Sequence, residues 1–197
     1  MYAFKLEPKT SAEEYLANER KADSRSEWHD GVTIRMAGAS EEHIDIVENI
    51  SGQLYMQLRG KPCRTATHDL RVKLSRSYAY PDVVVTCGDR VYTDNDCLTN
   101  PQVIIEVLSS STEKADRGWK LTEYRNLPSV QEIIHVYQDR VQVDCYSRQS
   151  EGRWLYEAYI KRETELVLTS LDIILPLSAI YVNVVLADEA QSTDDPV

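Results

Sequence analysis

Two carboxylates of this sequence stand where an acid is costly to bury. Asp82 precedes the apolar run VVVTC, and Glu106 interrupts the apolar run VIIEVL. An acid in such a run either faces solvent from an edge strand, or it is paired or binds a metal. If the two runs are antiparallel strands centred on Asp94, Asp82 lies opposite position 106, with Cβ atoms about 5 Å apart. Because a divalent cation would offset the repulsion between two such carboxylates, the pair predicts a metal site.

The segment after Glu106 offers a cation for the same place. Asp116, Lys120 and Tyr124 are spaced four residues apart, so they share one face of a helix. The spacing is equally that of a surface Asp–Lys ion pair with a tyrosine beside it. If the lysine instead points at the carboxylates, its ammonium could orient a water nucleophile or stabilise charge that develops in a transition state.

Helix and hairpin signals begin early in the chain. Ser11, with a glutamate three residues later, forms a capping box for the short helix SAEEYLANER. The pair Asp30-Gly31 suits a type I′ turn, which predicts a hairpin over SEWHDGVTIRMAG. Ser40 then caps a longer helix whose apolar residues have helical spacing, and Gly60 ends it.

The rest of the chain reads as strands around one more helix. The strand-like stretches are CRTATHD, LRVKL, YPDVVVTC and QVIIEVLS, followed by a helix over about residues 112–126. A hairpin with its turn at Gln138-Asp139 and two further strands follow. We predict one domain of the α/β (α+β) class over residues 1–186, with a mixed central β-sheet flanked by helices and additional β-hairpins. Residues 187–197 are polar and acidic, and we predict a disordered tail there.

The charge balance excludes a protein that coats nucleic acid through a uniformly basic surface. The 197 residues carry a net charge of −10, and phosphate binding needs local positive potential. One stretch, residues 59–76, has six basic residues against the single acid Asp69. It is either a local DNA-binding patch or a solvated strand face. The candidate contacts to nucleic acid in it are Arg59, Lys61, Arg64, Lys73 and Arg76.

Cysteine usage and hydropathy favour the cytoplasm. Cys63, Cys87, Cys97 and Cys145 have neither CxxC nor zinc-site spacing, so we expect small buried side chains and no disulfide. No apolar run reaches the roughly 20 residues that span a bilayer, and the N-terminus has none of signal-peptide length.

Several motifs together resemble a known family. They are PDVVV at 81–85, PQVIIEVLSSST at 101–112, DRGWK at 116–120 with Tyr124, and LPSV at 127–130. This combination is similar to the Uma-type family of restriction endonucleases, a branch of the PD-(D/E)XK nuclease superfamily. The resemblance covers roughly residues 10–185, nearly the whole chain.

The resemblance implies a restriction-endonuclease-like core and a metal site. Asp82 and Glu106 match the two acids that bind Mg²⁺, for which Mn²⁺ is a possible substitute, and the Val107 carbonyl is a possible further ligand. The motif lysine is expected at position 108, which is Leu108 here. Lys120 matches a lysine that has migrated to the next helix in this family.

Four more residues match family positions. Glu27 matches an early glutamate that can join the metal site, although it could also be an exposed hairpin acid. His43 matches a position at the start of the long helix, where a capping or surface histidine is the alternative. Asp69 and Arg71 could line the cleft, and Asp116 and Tyr124 are supporting residues beside Lys120.

The resulting hypothesis is a metal-dependent endonuclease that hydrolyses phosphodiester bonds, with DNA as the expected substrate, and that acts as a homodimer. Asp82 and Glu106 hold the metal, and Lys120 positions the attacking water. The alternative is a catalytically degenerate nuclease fold that serves as a nucleic-acid-binding or regulatory module, and Leu108 favours it. RNA or transposon ends as substrates are also open. The sequence has no phosphate-binding glycine motif, so no nucleotide cofactor is expected.

Overall fold

The helices begin where the sequence places their caps. The structure is a computed structural model that describes residues 9–186, so the predicted tail lies outside the described residues. Helix α1 (Ala12–Glu19) follows Ser11, and α2 (Glu41–Leu58) follows Ser40. Each serine side chain accepts a hydrogen bond from the backbone N–H three residues on, as a capping serine does. Both caps are confirmed.

Strands account for more of the described chain than helices do. They are β1 (Ser26–His29), β2 (Val32–Arg35), β3 (Cys63–Thr67), β4 (Val72–Lys73), β5 (Ser77–Ala79), β6 (Val83–Cys87), β7 (Tyr92–Thr93), β8 (Cys97–Leu98), β9 (Val103–Leu108), β10 (Glu132–Tyr137), β11 (Val143–Arg148), β12 (Trp154–Tyr159), β13 (Glu165–Leu168) and β14 (Ile173–Pro176). A short 3₁₀ helix, Ser150–Gly152, precedes β12, and the last helix among the described residues is Leu177–Ile180.

Two six-stranded sheets organise these strands. The central sheet has the order β12-β11-β10-β9-β6-β3, and the second sheet has the order β2-β1-β5-β4-β8-β7. In the central sheet β9 and β10 are parallel, whereas its other neighbours pair antiparallel. The prediction of a mixed central sheet with added hairpins is confirmed.

The register of β6 and β9 decides the geometry of the acidic pair. The strands are antiparallel, and Val83 lies opposite Ile105. Continuing that register by one residue places Asp82 opposite Glu106, as the spacing predicts. On the next strand, His135 lies opposite Glu106, and Asp144 of β11 lies opposite His135.

These four residues lie on one face of the central sheet, because side chains alternate along a strand. We call Asp82, Glu106, His135 and Asp144 the polar row. Two residues farther along their strands, Val84, Ile104, Ile133 and Tyr146 form an apolar core on the same face. The opposite face packs against α2 and the β13–β14 hairpin in a larger apolar core. The polar row is therefore an exception within a well-packed sheet.

The segment that covers the polar row departs from the predicted single helix. It consists of α3 (Glu113–Ala115), a π-helical turn (Asp116–Lys120) and α4 (Leu121–Asn126). Gly118 interrupts the helix with φ −97° and ψ −108°. π-helical turns are common at functional sites.

The cysteine prediction is wrong for one pair. Cys63 and Cys87 lie opposite each other on β3 and β6, with Cα atoms 3.9 Å apart, and form a disulfide. Their separation of 24 residues does not reveal this register. Cys97 and Cys145 are free and buried, as predicted. Within residues 9–186, no helix is long and apolar enough to cross a membrane. A cytoplasmic location stays a prediction, and a disulfide is more typical of oxidising compartments.

Candidate active site

A cleft of about 470 Å³ opens at the end of the central sheet where the polar row begins. Its floor carries five ionisable groups from four parts of the chain. They are Glu27 of β1, Asp82 before β6, Glu106 of β9, and Asp116 and Lys120 of the π-helical turn. The β6–β9 register and the covering segment therefore bring distant residues into one site.

Lys120 lies at the centre of three carboxylates. Its Nζ atom is 2.7 Å from Glu106 Oε1, 2.9 Å from Asp116 Oδ1 and 3.0 Å from Glu27 Oε1. An ammonium has three N–H donors, so three carboxylates match its capacity. Burial opposes the charged form of Lys120, but Glu106 and Glu27 outweigh it and raise its pKa well above the usual value. The lysine is thus held protonated.

Glu106 is a fully buried acid that depends on its neighbours. The Tyr124 hydroxyl donates to Glu106 Oε1 at 2.6 Å, beside the Lys120 contact. Burial raises the pKa of Glu106 well above its usual value; Lys120 opposes this, while Asp116, Asp82 and Glu27 add to it. Burial and Glu106 also raise the pKa of Tyr124. Glu106 therefore keeps a proton more readily than an ordinary glutamate, first because it is buried and further because three other carboxylates lie near it.

Asp82 is held from two sides. His43 Nε2 lies 3.1 Å from Oδ1, and the backbone N–H of Val107 donates to Oδ2 at 2.7 Å. Burial lowers the pKa of His43, but the hydrogen bond to Asp82 and the charge of Asp82, with smaller contributions from Gln138 and Asp116, together outweigh it, so the net shift of the pKa is upward. Ser40 fixes the first turn of α2 and with it the place of His43, which lines the cleft.

Glu27 ties the second sheet to this site. The residue is 6% exposed, and Oε1 accepts a hydrogen bond from the backbone N–H of Tyr80 at 3.0 Å. Tyr80 stands immediately before Pro81 and also lines the cleft. The sequence left open that Glu27 is an exposed acid of the hairpin, and its burial excludes that alternative.

Two residues of the HDLRV stretch have separate surroundings. Asp69 is exposed, contacts Arg25 and lines a smaller recess next to the cleft. Arg71 is buried behind that recess, where Nε donates to the Tyr80 hydroxyl and Nη2 contacts Asp96. Arg71 does not border the cleft within the described part of the chain.

The basic stretch does not form one free surface. Lys61 donates to the carbonyls of Leu171 and Asp172, while Lys73 pairs with Asp94 at 2.7 Å. Arg76 lies 3.7 Å from Asp30. Arg59 and Arg64 are exposed at the other end of the stretch. The structure therefore favours solvated and paired side chains over a compact DNA-binding patch.

Sequence reasoning missed part of the cleft. The hydroxyl residues 109–112 line one wall, where Ser109 Oγ contacts both Ser111 Oγ and Thr112 Oγ1. Residues 34–39 form the facing wall. The run SSST directly after a strand with a buried acid is a signal that could have found the first wall. Residues 34–39 carry no comparable signal.

The residues present suit a hard divalent cation in chemistry and charge. Carboxylate and carbonyl oxygens are the ligands of Mg²⁺, and Asp82, Glu106 and the Val107 carbonyl could supply them. Four carboxylates share this floor with one ammonium. Among residues 9–186, however, no three His, Cys, Asp or Glu side chains are already arranged to hold a metal, and the Lys120 ammonium lies among three of the acids.

The fold is nuclease-like. A crystal structure described as "a putative nuclease belonging to DUF820 from Anabaena variabilis" superposes with a TM-score of 0.67 at 17% identity. The match covers 89% of this chain and 99% of that one. At this identity the likeness shows the fold alone.

The chain belongs to the Uma2 family, whose description is "Putative restriction endonuclease" and whose model matches residues 12–178. Two relatives from Synechocystis sp. span the same region. "Uncharacterized protein slr1290" is 34% identical over 88% of this chain and 92% of its own length. "Uncharacterized protein sll1609" is 32% identical over 83% of this chain and 94% of its own length. The resemblance seen in the sequence is confirmed, and family and fold together support a nuclease.

Proposed function

We propose that this protein is a metal-dependent endonuclease that hydrolyses phosphodiester bonds in DNA. One observation carries the proposal: Asp82 and Glu106 meet on adjacent strands at the floor of a cleft, and Lys120 Nζ lies 2.7 Å from Glu106. A carboxylate pair with a lysine beside it is an arrangement suited to holding a cation and a water next to a phosphate.

Asp82 and Glu106 would hold Mg²⁺, with Mn²⁺ as a substitute and the Val107 carbonyl as a further ligand. The chemistry that the ion supplies when bound is a lower pKa for water and partial neutralisation of the charge on the scissile phosphate. His43 and the Val107 N–H keep Asp82 in place for this role. Glu27 is the additional acid within reach of Lys120.

Lys120 has two tasks in this proposal. It holds Glu27, Glu106 and Asp116 together at rest, and its three contacts match its three donors. An N–H becomes available for the attacking water when one carboxylate turns away. Glu27 is suited to release the lysine, because the Tyr80 N–H still compensates its Oε1. The Tyr124 hydroxyl meanwhile keeps Glu106 oriented.

Plasmid nicking and linearisation with Mg²⁺ or Mn²⁺ tests the proposal, with Asp82→Ala purified in the same way as the control. We expect cutting that depends on metal and is lost in the variant. Equal cutting by both preparations would indicate a contaminating nuclease and would contradict an active site at Asp82. The absence of cutting by either would favour the degenerate binding module, for which Leu108 in place of the motif lysine is the supporting observation.

The homodimer stays a prediction that follows from the need for two active sites to cut both strands of a duplex. Light scattering during size-exclusion chromatography checks it directly. Cleavage of matched RNA and DNA strands checks the choice of DNA.

A further inference from the structure

We infer that the substrate enters the site as a single, unpaired DNA strand that threads through two joined recesses, with the scissile phosphate at Asp82. The inference rests on the proposed nuclease function and adds the form of the substrate. The catalytic cleft of about 470 Å³ adjoins a second recess of about 340 Å³. The two recesses share the lining residues Met36, Ala37, Gly38, His68, Tyr80 and Asp82.

The position of Asp82 in this pair of recesses suggests a strand that continues on both sides. Asp82 borders both recesses, whereas Glu106 and Lys120 border the larger one and Arg25 the smaller one. Each recess falls in the range of about 300–1,000 Å³ that holds a small molecule, which is the scale of a nucleotide and not of a duplex segment. A polynucleotide strand would therefore place one nucleotide on each side of the reacting phosphate.

The walls have different chemistry, as a single strand requires. Residues 109–112 present hydroxyl groups, which are common hydrogen-bond donors to phosphate and sugar. The facing wall is apolar around Arg35, with Ile34, Met36 and Ala37 exposed at the rim. Unpaired bases bind apolar and aromatic surfaces without regard to sequence, whereas paired bases are hidden inside the helix.

The charge distribution also argues against a duplex. Duplex binding requires many cationic contacts along both phosphate backbones. Here Lys73 and Arg76 pair with Asp94 and Asp30, and Lys61 caps the loop at Leu171. Few cations border the recesses: Arg25, which pairs with Asp69, lines the smaller one, and Arg35 and Lys120 line the larger one. So small a number suits one phosphate chain better than two.

Fluorescence anisotropy with wild-type protein tests the inference. The probes are a labelled DNA strand of about 12 nucleotides, within the site size of single-strand-binding folds, and the same strand in a blunt duplex. Binding is measured in EDTA and in Ca²⁺, and cleavage of both probes is measured separately in Mg²⁺ and Mn²⁺. We expect the single strand to bind at least about tenfold more tightly and to be cut faster.

The two readouts separate this inference from the proposed function. A binding preference for the single strand without cleavage of either probe would support the inference and remove the nuclease. Cleavage of the duplex at least as fast as the single strand would overturn the inference and keep the nuclease. Equal binding of both probes, or no measurable binding of either, would overturn the inference.

A matched pair of variants places the strand in the recesses. Met36→Glu puts a negative charge where the recesses join, at a residue that is 37% exposed and can accept the change without unfolding the domain. Val167→Glu puts the same charge on β13, at a residue that is 48% exposed and outside both recesses. We expect about tenfold weaker single-strand binding by the first variant and less than about twofold change in the second. Equal effects of Met36→Glu and Val167→Glu on binding would mean that the strand does not bind in these recesses.

Discussion

Two buried acidic clusters lie under the same covering segment, and they have opposite character. Asp144, at one end of the polar row, accepts from Arg117 and Tyr137 at Oδ2 and from Gln142 and Tyr156 at Oδ1. Glu106, two strands away, shares one lysine with two further carboxylates. Arg117 and Lys120 reach the two clusters from neighbouring positions of the π-helical turn.

The comparison separates structural acids from functional acids. The Asp144 cluster has one acid and four donors, so its charge is compensated without an added ion. The Glu106 cluster has a surplus of acids and opens into a cleft. Burial of a carboxylate therefore does not mark a site by itself, since buried ion pairs also occur in structural networks. Uncompensated negative charge at an accessible cleft, by contrast, does mark a candidate functional site.

The largest expected effect is on cleavage by Glu106→Gln. We expect a loss of at least about 10³-fold, because the amide removes a charge that the reaction needs. The domain should stay folded, since Lys120 keeps contacts with Glu27 and Asp116. Strand cleavage and circular dichroism check the two parts. Unchanged cleavage in the folded variant would remove Glu106 from the mechanism.

Lys120→Met tests whether the lysine acts on water or only holds the acids. We expect turnover to fall about 10²-fold or more while Mn²⁺ affinity is kept, because the variant removes the donor to water. His43 and the Val107 N–H still hold Asp82, and the Tyr124 hydroxyl still holds Glu106. Single-turnover cleavage and Mn²⁺ titration check this. If metal affinity fell as much as turnover, Lys120 would organise the acids and not the water.

Asp144→Asn sharpens the comparison from the other side. The fully buried carboxylate of Asp144 accepts hydrogen bonds from Arg117 and from two tyrosine hydroxyls, and the variant removes its charge. We therefore expect a loss of about 2–4 kcal/mol in the free energy of unfolding. Cleavage by the folded fraction should change less than about threefold. Urea denaturation and a rate measurement at low temperature check both values. Loss of cleavage in the folded variant would make the two clusters one functional unit.

The smallest effect concerns His135, which separates the clusters. Burial lowers its pKa to about 3, with Arg117 adding to the shift, and neither ring nitrogen has a hydrogen-bond partner in the described chain. Between pH of about 6.5 and 3 the unfolded chain binds a proton that the folded chain does not, so His135 makes stability fall as the pH falls.

His135→Phe should remove this acid sensitivity. We expect the loss of unfolding free energy between neutral pH and about pH 4.5 to be smaller by about 2–3 kcal/mol than in the wild type. Urea denaturation of both proteins at the two pH values measures the difference. An equal loss in both would mean that His135 titrates normally in the folded state.

The sequence predicted the elements that carry strong local signals. Serine caps, the Asp30-Gly31 turn and the alternation of apolar runs depend on neighbouring residues, and the symmetric spacing around Asp94 predicted the register of β6 and β9. The π-helical turn and the short strands β7 and β8 have no comparable local signal and depend on packing against the rest of the fold.

The site shows the same division. The strand spacing predicted that Asp82 and Glu106 lie opposite each other. For Lys120 the spacing left a surface ion pair open, and the family resemblance assigned it to the site, where it contacts Glu106. The Cys63–Cys87 disulfide and the Tyr80 contact to Glu27 arise between strands whose pairing no local pattern encodes. The ion pairs of Lys73 with Asp94 and of Arg76 with Asp30 likewise join parts of the chain that no local pattern relates.

The most direct test of the difference between the clusters is Mn²⁺ binding by calorimetry in three proteins: wild type, Glu106→Gln and Asp144→Asn. The surplus charge at Glu106 predicts that wild type and Asp144→Asn bind Mn²⁺ with affinities within about threefold, while Glu106→Gln binds at least about 100-fold more weakly. Wild-type affinity in Glu106→Gln, or loss of binding in folded Asp144→Asn, would contradict the assignment of the cation site to the Glu106 cluster.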